Sequence, residues 1–270
     1  MGFVIFYASA FLFYLAVDRV AAKRRKHLEF TRACSPPQID LSDIVVHGKD
    51  LRLGKEDLHT ILTKRYAFYR FLSADVQQLF LHRLATFLQK KIFIIKDDEG
   101  FREMPVLVSA AAVHLTLGLR YYLLPFYQYI RIYPEEFFGD NSFKVLAGNV
   151  QQNTITVAWN HLLKGNENST DGANVGLHEM SHALYFQKIV VEENHARTFS
   201  KKYNCLLSEC REAFDDEMKG RIDLYSNYAT TNLQEFWAES VELFFEKPTS
   251  LQAQYPRVFE GMKILLNQDR

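Results

Sequence analysis

The sequence has 270 residues, 48% hydrophobic and 24% charged, enough apolar material to bury a real core in one or two domains. Lys+Arg and Asp+Glu balance at 32 each, which gives no global basic field for nucleic acid and no acidic surplus for a charged partner. No direct nucleic-acid binding is therefore expected. Cys34, Cys205 and Cys210 are too few, and odd in number, for a disulfide framework, and they fit a reducing compartment.

Residues 2–17, GFVIFYASAFLFYLAV, carry no charge, and Asp18, Arg19 and KRRK (23–26) follow. A membrane helix needs about 17 to 25 apolar residues, and Met1 with the aliphatic stems after Asp18 extends this run. A cleaved signal wants positive charge before the apolar run, but here it comes after, and the cleavage-like Ala8-Ser9-Ala10 lies inside it. The segment reads as a membrane anchor rather than a signal or a buried helix. The positive-inside rule then puts the rest of the chain in the cytoplasm. The expected organisation is a single-pass anchor over 1–20, a juxtamembrane linker over 21–50 containing Pro36-Pro37, and one domain over 51–270.

From about residue 55 the pattern is helical. Ser73-Ala74-Asp75 opens a helix with Val76, Leu79, Phe80, Leu84, Phe87 and Leu88 on one face. KIFII (91–95) predicts a strand and DDEG (97–100) a turn. MPVLVSAAAVHLTLGLRYYLL (104–124) predicts a buried core helix; His114, Arg120 and Pro105 argue against a second membrane span. YIRIYP (129–134) and TITVAW (154–159) alternate like strands. A helix through 174–187, a charged helix near 199–219 and a final pair at 232–246 and 249–267, broken at Pro248, complete the chain. The order gives an α+β fold, mostly helical with a small sheet.

Within NVGLHEMSHALYFQ (174–187), HEMSH has the form HExxH. With 9 His and 18 Glu, chance would supply that pattern roughly 0.02 times in such a chain. Asp171, Gly172 and Asn174 can end a loop and cap the helix. One turn apart, His178 and His182 share a face and can reach one metal ion, with Glu179 beside a water on it. Two solvated histidines on an exposed helix are the alternative; Val175, Leu177, Met180, Ala183 and Leu184 favour a buried one.

A catalytic zinc site usually has three protein ligands and an open position. No histidine continues the motif, so the third ligand lies downstream, among Glu235, Glu239, Glu242 and Glu246 of NLQEFWAESVELFFEKP (232–248). Glu235 is the choice, because it begins a helix that Phe236, Trp237, Val241, Leu243 and Phe244 draw into the core. Glu239, one turn on, is expected to hydrogen-bond the outer nitrogen of a zinc-bound histidine. Glu242 and Glu246 matter little if they face solvent.

WNHLLKG followed by DGANVGLHEMSHAL, and YATTNLQEFWAESVELFFEKP farther on, resemble the Mlc titration factor A family of zinc peptidases; the likeness runs from about residue 60 to the C-terminus. That family's catalytic core is similar to that of anthrax lethal factor, where a tyrosine stands seven residues before the glutamate ligand, as Tyr228 stands before Glu235. The resemblance implies a zincin-like metallopeptidase domain with one Zn2+ per chain, held by His178, His182 and Glu235. It also implies Glu179 as base, Tyr228 as the donor beside the oxyanion, and a cytosolic, aminopeptidase-like enzyme that can bind a transcriptional repressor of sugar uptake. The hydrophobic N-terminus departs from the type member.

Three functions compete. One is a membrane-anchored zinc peptidase acting on a peptide or protein substrate by metal-activated water. Another is a regulatory protein that titrates a repressor, with hydrolysis secondary. The third is a structural zinc domain, against which Glu179 speaks, since a structural site has no use for a general base. TITVAW reads equally well as a sheet edge that pairs with substrate backbone or as a plain core strand.

Overall fold

The computed structural model describes residues 36–96, 102–139, 145–191, 197–220, 222 and 224–268. The apolar segment 2–17 with its basic flank, Cys34 and the turn at 97–100 lie outside the described residues. Among the described residues no helix is long and apolar enough to cross a membrane.

A five-stranded sheet runs in the order β1 (Ile44–His47), β2 (Ile92–Ile95), β3 (Tyr129–Tyr133), β7 (Thr154–Ala158), β6 (Gly148–Gln151). The three central strands are parallel, with Ile130 beside Ile155 and Ile132 beside Val157, while β1 and β6 are antiparallel edges. A two-stranded ladder of β4 (Phe137–Phe138) and β5 (Val145–Leu146) stands apart. The strands expected at KIFII, YIRIYP and TITVAW are all present. TITVAW becomes β7, hydrogen-bonded on both sides and buried along its length, so the sheet-edge reading of that segment is overturned. The edge is β6, a GNVQ segment whose glycine and polar residues give little strand signal. Ile44–His47, within the stretch read as linker, supplies β1.

Ten α-helices are described: α1 (Lys55–Arg65), α2 (Ala67–Arg70), α3 (Ala74–Gln89), α4 (Glu103–Thr116), α5 (Trp159–Glu167), α6 (Val175–Tyr185), α7 (Arg197–Met218), α8 (Leu233–Glu246), α9 (Pro248–Gln254) and α10 (Pro256–Leu266). The alternating apolar residues of the sheet, Ile130, Ile132, Ile155 and Val157, are fully buried. Against them and against α8 lies α6, the HEMSH helix, which also touches α4. Gly176 makes that approach possible: a Cβ there would stand 2.7 Å from Leu162 and 2.9 Å from Ala111.

The 104–124 segment is a core helix only as far as Thr116, where every α4 residue from Met104 on is buried. Beyond it the backbone turns away because two long-range cations take its carbonyls. Arg83 donates to the oxygens of Thr116, Leu117 and Leu119 at 2.8–3.0 Å, and Lys91 donates to those of Leu123, Leu124 and Tyr127 at 2.5–2.8 Å. The orphan carbonyls of a helix end are thereby satisfied without further helix. The expected final helix pair is three helices, because Pro256 interrupts as Pro248 does, each proline opening the helix that follows it.

Candidate metal centre

The N-cap of α6 is Asn174, whose side-chain oxygen accepts from Leu177 N–H at 3.1 Å. From that start His178 and His182 fall on one face, one turn apart, with their Nε2 atoms 3.2 Å from each other. Helix α8 begins at Asn232, which caps it by accepting from Gln234 and Glu235 N–H. Glu235 therefore sits in the first turn, where the helix dipole favours a carboxylate. Its Oε2 lies 3.0 Å from His178 Nε2 and 3.3 Å from His182 Nε2. Trp237 Nε1–H donates to Ser181 O and ties the two helices together.

These three side chains are the His/His/Glu group whose ligand atoms all lie within 4.8 Å of one another. Tetrahedral zinc with ligands at 2.0–2.1 Å holds them roughly 3.3 Å apart, close to the observed spacing. The electrostatics also suit a cation. Burial opposes charge on His178, yet Glu235 and Glu242 on its two sides raise its pKa well above the usual value. Burial likewise works against ionised Glu235, but hydrogen bonds from His178 and His182 prevail and hold its carboxyl at about 2. The residues present fit a metal ion.

Glu179 points off the histidine line and is buried, and that burial raises its pKa. Its carboxylate rests against Gly148 of β6, where any Cβ would overlap it. The glycine thus admits the carboxylate to the strand edge. On either side of this contact the cleft opens. One half, about 360 Å³, reaches from Gly148 to His161 and Lys164. The other, about 300 Å³, is walled by Tyr127, Tyr185 and Phe186. Tyr228 borders both halves, 55% exposed, its ring centroid 6.4 Å from that of His178. Partial burial, then the Glu235 and Glu179 carboxylates, raise its phenol pKa.

The four glutamates of α8 do not divide as expected. Glu242 accepts from His178 Nδ1–H at 2.7 Å and from Asn174 N–H. It thereby fixes the tautomer that turns the Nε2 lone pair toward Glu235 and His182. Glu239 touches neither histidine; it accepts from Ser226 N–H at 2.5 Å and Ser226 Oγ–H at 2.8 Å. Glu246 accepts from Gly172 N–H and Asn174 Nδ2–H. Both Glu242 and Glu246 are buried, so neither faces solvent. The missed signal was the spacing itself: 235, 239, 242 and 246 make one helical stripe, and the stripe faces inward.

The sequence matches the family described as glucose-regulated metallo-peptidase M90 over residues 50–265. The chain belongs to this family. As a member of the M90 metallopeptidases it falls in a class that carries a metal, usually zinc, and it is of the Mlc titration factor A kind that the sequence resembles. It is also 27% identical over 228 aligned residues, 75% of this chain and 80% of the relative, to an uncharacterized protein of Synechocystis sp. (strain ATCC 27184 / PCC 6803 / Kazusa). The M90 match spans all the residues of the centre.

Proposed function

We propose that this M90 chain is a zinc-dependent metallopeptidase that hydrolyses peptide bonds, with one zinc ion held by His178, His182 and Glu235. The observation that carries the reading is the convergence of three lone-pair donors beside a buried carboxylate, in a cleft along a strand edge. When bound, zinc supplies Lewis acidity that polarises a carbonyl and lowers the pKa of a bound water from 15.7 toward about 7.

The remaining work falls to the chain. Glu179 takes the proton of the attacking water and returns it to the leaving amine; a carboxyl raised by burial is suited to both steps. Tyr228, on the rim of both half-clefts, donates its O–H toward the oxygen that gains negative charge. The free edge of β6 pairs with an extended substrate backbone, and the two half-clefts receive side chains on either side of the scissile bond. The aromatic half favours an apolar side chain.

The finer readings stand on the sequence. The aminopeptidase-like one rests on family resemblance, and a peptide-library digest is expected to show stepwise loss of N-terminal residues; internal cuts would replace it with an endopeptidase. The anchor rests on residues 2–17 and the KRRK that follows. Full-length protein should sediment with membranes and resist protease added outside intact cells.

The decisive variant is Glu179→Gln. Zinc content should stay near one per chain while turnover falls by about 10²- to 10⁴-fold. Wild-type turnover in Glu179→Gln removes that residue from the mechanism. A protein that acts by titrating a repressor would keep that binding in the same variant, which separates the second function from the first.

A further inference from the structure

Lys91 is a buried cation with no carboxylate beside it. It is 2% exposed, forms no ion pair among the described residues, and burial alone pulls its pKa down to about 7. Its N–H donors go instead to the backbone oxygens of Leu123, Leu124 and Tyr127, and its Nζ lies over the Phe87 ring, 4.6 Å from the centroid. The base of the side chain is fixed as well. Lys91 N–H donates to Leu88 O at 3.1 Å, and Lys91 O accepts from Gly48 N–H at 2.9 Å, immediately before β2. A buried charge without a counter-ion is costly, but no neutral side chain carries three donors on one atom.

The segment held in this way leads to the cleft. Residues 117–128, between α4 and β3, form no regular element, and Leu124 within them stands at φ 48°, a left-handed backbone that a bulky side chain rarely adopts. Such a conformation persists only where the surroundings hold it. Here Leu124 O accepts from Lys91 Nζ–H at 2.8 Å and from Tyr127 N–H at 3.1 Å. The turn sets Phe126 and Tyr127 against the ring of Phe186, at centroid distances of 5.1 and 6.3 Å. Tyr127 and the half-buried Phe186 line the aromatic half of the metal cleft, whereas Lys91 lines neither half. The ammonium therefore acts on that half from behind, through the turn.

We infer that Lys91 is a positioning residue for substrate selection: it sets the turn that backs Phe186, and so shapes the aromatic half-cleft for a large apolar side chain of the peptide over a small one. The inference rests on the peptidase reading and deepens it, because it names what fixes the selective wall. An apolar pocket gains affinity with each methylene it covers, but only while its walls stay in contact with the side chain. With the three carbonyls released, Leu124 can leave the left-handed region, and the rings behind Phe186 lose their place. The metal ligands stand on α6 and α8, outside this turn.

The test uses the zinc-loaded full-length protein and a peptide taken from the library digest, made with Phe or Ala at each of the two residues flanking the cut. At one of these positions the wild type should prefer Phe by about 10-fold in kcat/KM. Lys91→Met keeps the apolar stem and removes the ammonium. In that variant KM for the Phe peptide should rise by about 10-fold with kcat little changed, as when binding common to ground and transition states is lost. Kinetics on the Ala peptide, and zinc near one per chain, should stay as in the wild type. Phe186→Ala, at a half-buried position, should also lose the Phe preference, which keeps the inference open to refutation should Lys91→Met fail to fold. Equal losses on the two peptides in Lys91→Met would make the residue merely structural and overturn the inference. So would a wild type indifferent to Phe and Ala, or an unchanged preference in Lys91→Met or Phe186→Ala. No cleavage of any library peptide by the wild type would instead overturn the peptidase reading, and this inference with it.

Discussion

Helices α6 and α8 face each other across the centre and carry their polar residues in different ways. On α6 the pattern is sparse, two histidines and one glutamate among apolar neighbours, and the roles follow from helical spacing alone. On α8 four carboxylates share one inward-facing stripe, buried from Glu239 on, and no two do the same thing. Glu235 meets both histidines, Glu239 holds Ser226, Glu242 backs His178, and Glu246 binds the loop that leads into α6. Helical periodicity says which residues share a face. What each one touches depends on how the helix crosses its neighbours.

The strongest test of that contrast is Glu235→Ala. With two imidazoles alone the ion is under-coordinated, so the purified variant should lose most of its zinc while circular dichroism stays that of the wild type. Zinc retained at one per chain would move the third ligand elsewhere on α8 and remove the proposed role of Tyr228 with it.

Next comes Glu242→Gln. The amide oxygen can still accept from His178 Nδ1–H, but the negative charge is lost, and Asn174 N–H faces an NH2 group. Zinc affinity should fall by about 10- to 100-fold, the usual cost of an altered partner behind a metal-bound histidine. Glu239→Gln should give the complementary result. Tyr228 N–H bonds to Ser226 Oγ, and Ser226 is clamped by Glu239, so the change should loosen the segment bearing Tyr228. Turnover should drop by about 10-fold with zinc affinity unchanged. If Glu239→Gln empties the site and Glu242→Gln does not, the two glutamates have exchanged the places described above.

Much of the architecture was legible before the structure. The parallel strands β2, β3 and β7 come from runs rich in Ile, Val, Thr and Tyr, which favour a pleated surface, and α6 from a cap, an apolar face and an i, i+4 histidine pair. These are local signals. The end of α4 was not legible, because its stop comes from Arg83 and Lys91, more than thirty residues away in sequence. Nor was β6, whose four residues become a strand only by pairing with β7. Gly148 is understandable only once Glu179 is seen against it. The second break in the C-terminal helices did have a local signal, Pro256.

The smallest effect on the centre belongs to Glu246, which lies farthest along the stripe, and it shows in stability rather than in metal binding. Burial raises its carboxyl to about 8 in the folded protein, whereas in the unfolded chain it titrates near the ordinary glutamate value of about 4.3. Between those two values the native state keeps a proton that the unfolded state has released. The contribution of Glu246 to stability is therefore fully present below the unfolded pKa and is lost as pH rises toward the folded one. Glu246→Gln cannot titrate, and its NH2 group, which cannot accept, must face one of the two N–H donors that the two carboxyl oxygens now accept from. The variant should be less stable than the wild type at pH 5. The gap should then close by up to about 1.4 kcal/mol per pH unit on the way to pH 8. Urea unfolding at pH 5, 6.5 and 8, in matched zinc-free samples, measures it, and zinc affinity at a single pH should differ little between the two proteins. A gap that stays constant with pH would mean that Glu246 ionises near its ordinary value, as a carboxylate on the solvent side of α8 would, and a gap that widens would mean a value below it.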